Sequence, residues 1–305
     1  LTHHHNTVPK FKDWALLALL VALWGSAYGL NSVAVANLAP IMVTATRLWV
    51  GAGFLGLIVL LYRIKMPPLS NIRAWASMAA TGVIGSLLPF FLIAKAQMHV
   101  PSAVAAIYLS ASPLAVAALA HFLVPNEKIT KIRTLGVILG LAGVIILFLP
   151  NLLEIERFRS PLWAQGFLLF GAICYGVALI IVRLTSPNLD PIGISFGFVL
   201  CSAIAATPFL FIDQSQEFVK NHSLISSWVC AVLLGIGPTA IASILYVGAT
   251  RKIGPVMVSN VSNLVPFFAL AIGYVVFQEA IPATAIWALI TILCGVYLLQ
   301  IRPKS

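Results

Sequence analysis

The chain has 305 residues, of which 61% are apolar and only 9% charged. That much apolar surface cannot be hidden in a water-soluble core, so the composition excludes an ordinary soluble domain and calls for lipid as solvent. The formal charge of +10 comes from 18 Lys and Arg scattered between apolar segments; this is loop anchoring at a membrane surface and not the continuous basic stripe of a nucleic-acid binder.

Ten apolar segments follow one another: Trp14 to Val35, Ile41 to Tyr62, Ala74 to Ala96, Ser102 to Val124, Ile132 to Leu149, Leu162 to Val182, Ile192 to Ile212, Trp228 to Ala249, Val256 to Phe277 and Ala283 to Ile301. Most are long enough to cross a bilayer as helices. The first is long and runs directly into the others, so it reads as a first span and not as a cleaved signal peptide. The longest connector, around Asp213 to Ser226, is too short to fold alone, and no soluble domain is expected. His3, His4 and His5 have no fixed geometry for a metal and are set aside. Cys174, Cys201, Cys230 and Cys294 each lie within an apolar segment without the short spacing of a zinc or redox pair, and read as packing residues. No metal and no cofactor is expected.

Basic residues set the orientation. Thirteen lie on the side of the N-terminus, from Lys10 and Lys12 through Arg133 to Arg302 and Lys304, against three, Arg157, Arg159 and Lys220, on the other. An even number of crossings puts both termini together, and the bias predicts both to be cytoplasmic in a multi-pass cell (inner or plasma) membrane protein.

The chain also repeats itself. Leu38-Ala39-Pro40-Ile41 recurs as Leu189-Asp190-Pro191-Ile192 and Trp24-Gly25 as Tyr175-Gly176; Gly82 matches Gly235, Pro113 matches Pro266, and Glu127 with Gly143-Val144 matches Glu279 with Gly295-Val296. The order is kept and the offset drifts only from 151 to 153. Residues 1–150 and 151–305 therefore read as two five-helix repeats. An odd number of spans forces the second into the membrane from the opposite side, so the expected fold is all-α, ten transmembrane helices in two inverted repeats. Two related bundles of opposite orientation can open a shared cavity to either side in turn, which is alternating access.

These landmarks resemble the drug/metabolite transporter superfamily, and within it the ten-helix EamA-type exporters. The resemblance covers the whole chain and rests on Trp24-Gly25, Arg47, Pro113, Glu127 followed by Gly136, Gly140 and Gly143, and the second copies Pro266, Glu279 and Gly295. It implies export of amino acids, related metabolites or organic compounds through a central cavity lined by both halves. Tyr175 stands where the first half has Trp24, and nothing basic matches Arg47, so the two-fold symmetry is broken where a ligand would sit.

Polar and aromatic residues inside apolar segments are the candidate cavity residues. Arg47 lies seven residues into its segment, on the order of 10 Å deep at the helical rise. No Asp or Glu lies at comparable depth, so it either clamps helix ends or snorkels, or it meets a substrate carboxylate. Asn260 and Asn263 share a helix face and can offer donors and acceptors together; Ser259 and Ser262 flank them, and Tyr108, Ser110 and Ser112 precede Pro113. Bonding between spans is the alternative for these groups. Pro113 and Pro266 are candidate helix breaks, each removing a backbone donor. Trp24, Tyr28 and Tyr175 can form a stacking wall or simply pack. The pairs Gly25/Gly29, Gly136/Gly140 and Gly193/Gly197 allow close helix approach. Glu127 and Glu279, at the entries to the fifth and tenth spans, read as helix-terminus carboxylates.

The predicted function is a secondary, non-ATP transporter that exports small metabolites, foremost neutral or aromatic amino acids. Its partners are a small-molecule substrate and the lipid bilayer, with no nucleic acid. With no carboxylate deep in a span, transport is predicted to be uniport-like. A multidrug efflux carrier is the alternative. An intramembrane enzyme is disfavoured, since no paired membrane aspartates, His-Glu-x-x-His run or phosphate loop occurs.

Overall fold

A computed structural model of the chain describes residues 11–123, 130–153, 155–156, 159–185, 190–212, 224–253 and 255–300. Within these, the side chains of residues 120, 122–123, 182–185, 212, 248, 250–253 and 255–260 lie outside the description. The described residues form helices and connecting turns without a strand. The spans are, in order, Phe11–Val35, Pro40–Leu61, Ile72–Ala96, a fourth in two pieces (Ser102–Leu109 and Ser112–Leu123), Lys131–Leu152, Leu162–Thr185, Pro191–Phe211, an eighth from Leu224–Leu234 to Ala242–Ile253, Pro255–Val275 and Ala283–Gln300. Nine helices among the described residues are long and apolar enough to cross a membrane, and Val261–Val275 is a shorter apolar helix within the ninth span. The ten-span reading of the sequence thus holds.

Local chemistry sets where the spans begin. Asp190 accepts hydrogen bonds from the Ile192 and Gly193 amides at 2.8 and 3.4 Å, Asn71 from Ala74 at 3.2 Å, and Thr130 from Arg133 at 3.4 Å. Each satisfies an amide that the first helical turn leaves without a partner. Pro40 and Pro191, which match in the two repeats, open the second and seventh helices, where a missing N–H costs nothing.

The third and eighth spans each contain a π-helical stretch, Val83–Leu87 and Gly235–Ile241. They begin 152 residues apart, the offset of the sequence repeat. A proline accompanies each. Pro89 follows the first stretch and Pro238 lies inside the second, and each removes one backbone donor and crowds the carbonyl four residues back, which disfavours the regular ladder. In the wider turns Leu88 donates to the Val83 carbonyl and Ala242 to that of Gly237.

On the fifth span Gly136, Gly140 and Gly143 are buried, while Leu135, Ile138, Leu141 and Ile145 are exposed. That is the reverse of a soluble helix and suits a protein whose outer solvent is hydrocarbon. The fifth span packs most extensively on the tenth, while the first and second both pack on the eighth, the first also on the ninth and the second also on the seventh, so the two repeats interleave. The fifth and tenth meet glycine to glycine: a Cβ on Gly136 would lie 2.7 Å from the Gly295 carbonyl oxygen, and one on Gly295 would lie 2.6 Å from that of Gly136. Gly25 and Gly29 instead receive the rings of Phe268 in the ninth span and Phe277 just after it.

Gly295→Leu is expected to force these two helices apart and destabilise the protein by about 1–3 kcal/mol, seen as a lower melting temperature of the purified protein in detergent. Gly53→Ala, where an added Cβ meets nothing within 4 Å, serves as the neutral control. Equal melting of Gly295→Leu and the parent protein would show that the crossing is not tight.

Candidate functional site

Arg47, in the second span, is held by Thr239 of the second π-helical stretch and by Phe90, three residues past the first. Pro238 cannot donate to the Leu234 carbonyl, and the Thr239 hydroxyl does so instead at 2.9 Å. This turns a Thr239 lone pair toward the second span, where Arg47 Nε donates to it at 2.8 Å. The flat face of the guanidinium lies over the Phe90 ring, 3.6 Å from its centroid, a cation–π contact with the residue after Pro89. Close backbone packing makes this possible, since a Cβ on Gly235 would come within 2.8 Å of the Arg47 carbonyl oxygen. The guanidinium forms no other hydrogen bond among the described residues, and Arg47 lines a cavity.

That cavity has a volume of about 870 Å³. It runs from the face of the bundle where the first span begins, lined there by Arg133, Pro191 and Gln300, down to Asn31, Arg47 and Ile93 near the opposite face. Its walls are aromatic: Trp24, Tyr28, Phe90, Tyr175, Phe198 and Tyr246 all contribute, with the Trp24 and Tyr246 rings 5.5 Å apart and tilted by 41°. Both repeats therefore line it. No Asp or Glu is among its described lining residues.

Three sets of contacts close the face near Val35. At the foot of the cavity, Asn31 Nδ2 donates to Gln97 Oε1 at 2.6 Å, and Gln97 Nε2 donates to the Tyr28 carbonyl at 3.0 Å. To one side, Asn37 Nδ2 donates to Ser227 Oγ at 3.0 Å, and Ser227 in turn to the Val33 carbonyl at 2.9 Å. Finally, Glu279 accepts hydrogen bonds from the Ser102 and Ala103 amides at 2.8 and 2.9 Å, so a carboxylate of the second repeat caps the fourth span of the first. Sequence alone pointed Glu279 at a helix terminus but at the wrong helix. The left-handed Gln278 (φ 51°) turns the chain back after the ninth span, and the Glu279 amide donates to the Gly273 carbonyl at 2.9 Å. Gly273 leaves room for the carboxylate, since a Cβ there would lie 2.7 Å from Glu279 Oε2.

The sequence profile described as the EamA-like transporter family matches residues 12–149 and again 162–301. The chain belongs to the EamA-like transporter family. Among curated relatives, it is 23% identical to an uncharacterized transporter, YoaV, of Bacillus subtilis, over 90% of this chain and 92% of that protein. It is 25% identical to an uncharacterized inner membrane transporter, YedA, of Escherichia coli, over 95% and 92% of the two chains. A WAT1-related chloroplastic protein of Arabidopsis thaliana is 25% identical, over 95% of this chain and 70% of its own length. A crystal structure 18% identical in sequence superposes with a TM-score of 0.64, covering 95% of this chain and 97% of that one, which shows the shared fold. This EamA-like chain is a multi-pass membrane transporter.

Its cavity gathers Trp24, Tyr28, Arg47, Ser112, Tyr175 and Asn263 from five spans, together with Pro113 and Pro266. Tyr108 is not among the lining residues. Its ring is 1% exposed and its hydroxyl donates to Gln165 Oε1 at 2.8 Å, within a polar network that ties Gln165 Nε2 to Asn151 Oδ1 at 2.8 Å. The side chains of Ser259 and Asn260, and all of Glu127, lie outside the described residues. Of the two expected helix breaks only one is present. The fourth span is interrupted at Ser110 and Ala111, just before Pro113, where the Ser110 hydroxyl donates to the Ile107 carbonyl at 2.6 Å and competes with the ladder. The ninth runs unbroken through Pro266; there Asn263 stands at the position matching Ser110, lining the cavity. Thr239, Phe90, Asn31 and Arg133 were not singled out by sequence. Pro238 before Thr239, and an amide deep in the first apolar segment, were the available signals.

Glu279→Ala is expected to leave two amides at the start of the fourth span without their acceptor and to destabilise the protein by about 1.5–3 kcal/mol. Glu279→Gln, which keeps one acceptor, should lose less. Thermal unfolding in detergent reads both, and an alanine variant as stable as the parent would remove the clamp from the account of how this face is closed.

Proposed function

We propose that this transporter is a secondary carrier that exports small carboxylate-bearing metabolites, neutral and aromatic amino acids foremost, by alternating access. The observation that carries this reading is Arg47. A guanidinium so deep in a span is costly unless it is engaged, yet only its Nε edge and one face are, and its remaining N–H groups match the fork of a carboxylate. The aromatic walls above it suit an apolar side chain.

The excess of basic residues in the connectors on the N-terminal side supports cytoplasmic termini, so the cavity is open to the cytoplasm in this state. Export then requires the Val35 face to open and the face at Phe11 to close. The two inverted repeats, 1–150 and 151–305, supply the two related arrangements. Coupling to protons is not part of this reading: no carboxylate is among the described lining residues, and an arginine does not release its proton at physiological pH. The solute moves down its own gradient, by uniport or exchange. Efflux of larger organic compounds is a second reading, favoured by a volume of about 870 Å³, which exceeds what one amino acid fills.

Two measurements on proteoliposomes test this. Arg47→Gln is expected to reduce counterflow of zwitterionic amino acids about tenfold or more, since a charge-assisted pair contributes on the order of 1.5–3 kcal/mol, while expression and melting stay near those of the parent. Undiminished counterflow in the folded variant leaves Arg47 a purely structural role. Separately, a pH gradient of either sign imposed without a substrate gradient is expected to drive no accumulation; uphill uptake abolished by a protonophore would establish proton coupling and overturn the uniport reading.

A further inference from the structure

We infer that the cavity selects organic anions, with Arg133 capturing the negative charge at the mouth and Arg47 receiving it at the foot. This deepens the proposed function and rests on its reading of the cavity as the substrate site. Two arginines line one cavity at its opposite ends, and no described lining residue is acidic. The described lining therefore carries positive charge that no carboxylate of its own offsets.

Arg133 lies in the first turn of the fifth span, whose N-cap is Thr130. A cation there opposes the helix dipole, so the position works against the helix itself. Surface anchoring accounts for its neighbour Lys131, which is exposed. It does not account for a guanidinium on the cavity wall whose buried Nε has no hydrogen-bond partner. A carboxylate entering from that face meets Arg133 first and, at the far end, Arg47 with its unused N–H groups. An ammonium finds no carboxylate: among the described lining residues it meets aromatic faces, which attract a cation only weakly beside two like charges, and hydroxyls and amides. For a given apolar body, a net anion should therefore be preferred over a zwitterion, and a zwitterion over a cation. The two arginines divide the work kinetically. A charge at the mouth raises the rate of entry, and one held at the foot lengthens the stay.

The test uses three probes built on one phenylethyl body, with purified full-length protein in liposomes: hydrocinnamate, L-phenylalanine and phenethylamine. Binding is followed by quenching of tryptophan fluorescence in stopped flow. Hydrocinnamate is expected to bind at least about tenfold more tightly than phenethylamine, with phenylalanine between. Arg133→Gln should slow hydrocinnamate association about tenfold and flatten its salt dependence while leaving dissociation unchanged; Arg133→Lys should restore most of the rate. Arg47→Gln should instead speed dissociation. Phenethylamine binding as tightly as hydrocinnamate, or unchanged association in a folded Arg133→Gln protein, overturns the inference. If phenylalanine is still carried in an Arg47-dependent way, only the charge selection has failed. If none of the three binds, the proposed function fails with it.

Discussion

A single contact organises the centre of this transporter: the Arg47 guanidinium lodged between Thr239 and Phe90. An arginine inside a membrane is tolerated only where its charge is engaged. Here neither partner is an acid. Phe90 supplies the face of its ring, and Thr239 supplies an oxygen that is oriented because its own proton already goes to the Leu234 carbonyl. Pro238 has no amide proton to give that carbonyl, and the hydroxyl that does reach it is the one that receives the guanidinium. Thr239 lies within the second π-helical stretch and Phe90 three residues past the first, and the two stretches match in the two repeats, so an asymmetric residue, present in one half only, is seated beside symmetric elements.

Close packing around that contact depends on what the helices lack. Gly235 lets the eighth span approach the backbone at Arg47, and Gly51 answers from the second, where a Cβ would lie 3.3 Å from the Gly235 carbonyl oxygen. In hydrocarbon no hydrophobic effect presses helices together, so contact area must come from backbones that can approach one another. Elsewhere the same device joins the fifth and tenth spans. The cavity survives within this tight packing because the fourth span breaks before Pro113 and the third and eighth shift register at their prolines, each interruption turning polar backbone toward a space and not toward lipid.

Most of the architecture was legible in the sequence. Spans announce themselves by unbroken apolar length, and the repeat by landmarks at a nearly constant offset. Trp24, Tyr28, Arg47, Tyr175 and Asn263 were visible because polar and aromatic groups stand out against Leu and Val, and the structure does bring them to one cavity. Phe90 had no such contrast, being one more apolar residue in an apolar run. Tyr108 had the contrast but is turned into a network with Gln165 and Asn151. Proline was over-read at Pro266 and under-read at Pro89 and Pro238. A missing donor can be answered by a break, by a π shift or by a continuous helix with one bond fewer, and the choice lies with neighbouring side chains, as with Ser110, and not with the proline.

The pairing of the fifth span with the tenth also bears on how the protein is made. The fifth span completes the first repeat, yet the surface that Gly136, Gly140 and Gly143 present is covered by the last span of the second. During synthesis that glycine face enters the bilayer well before its partner exists and meets lipid chains in the meantime. At a typical pace of about 5–20 residues per second, the wait for the tenth span lasts on the order of ten seconds. The first repeat is therefore an intermediate of biogenesis with an open seam, and any factor that shields nascent spans in the membrane would find its surface there.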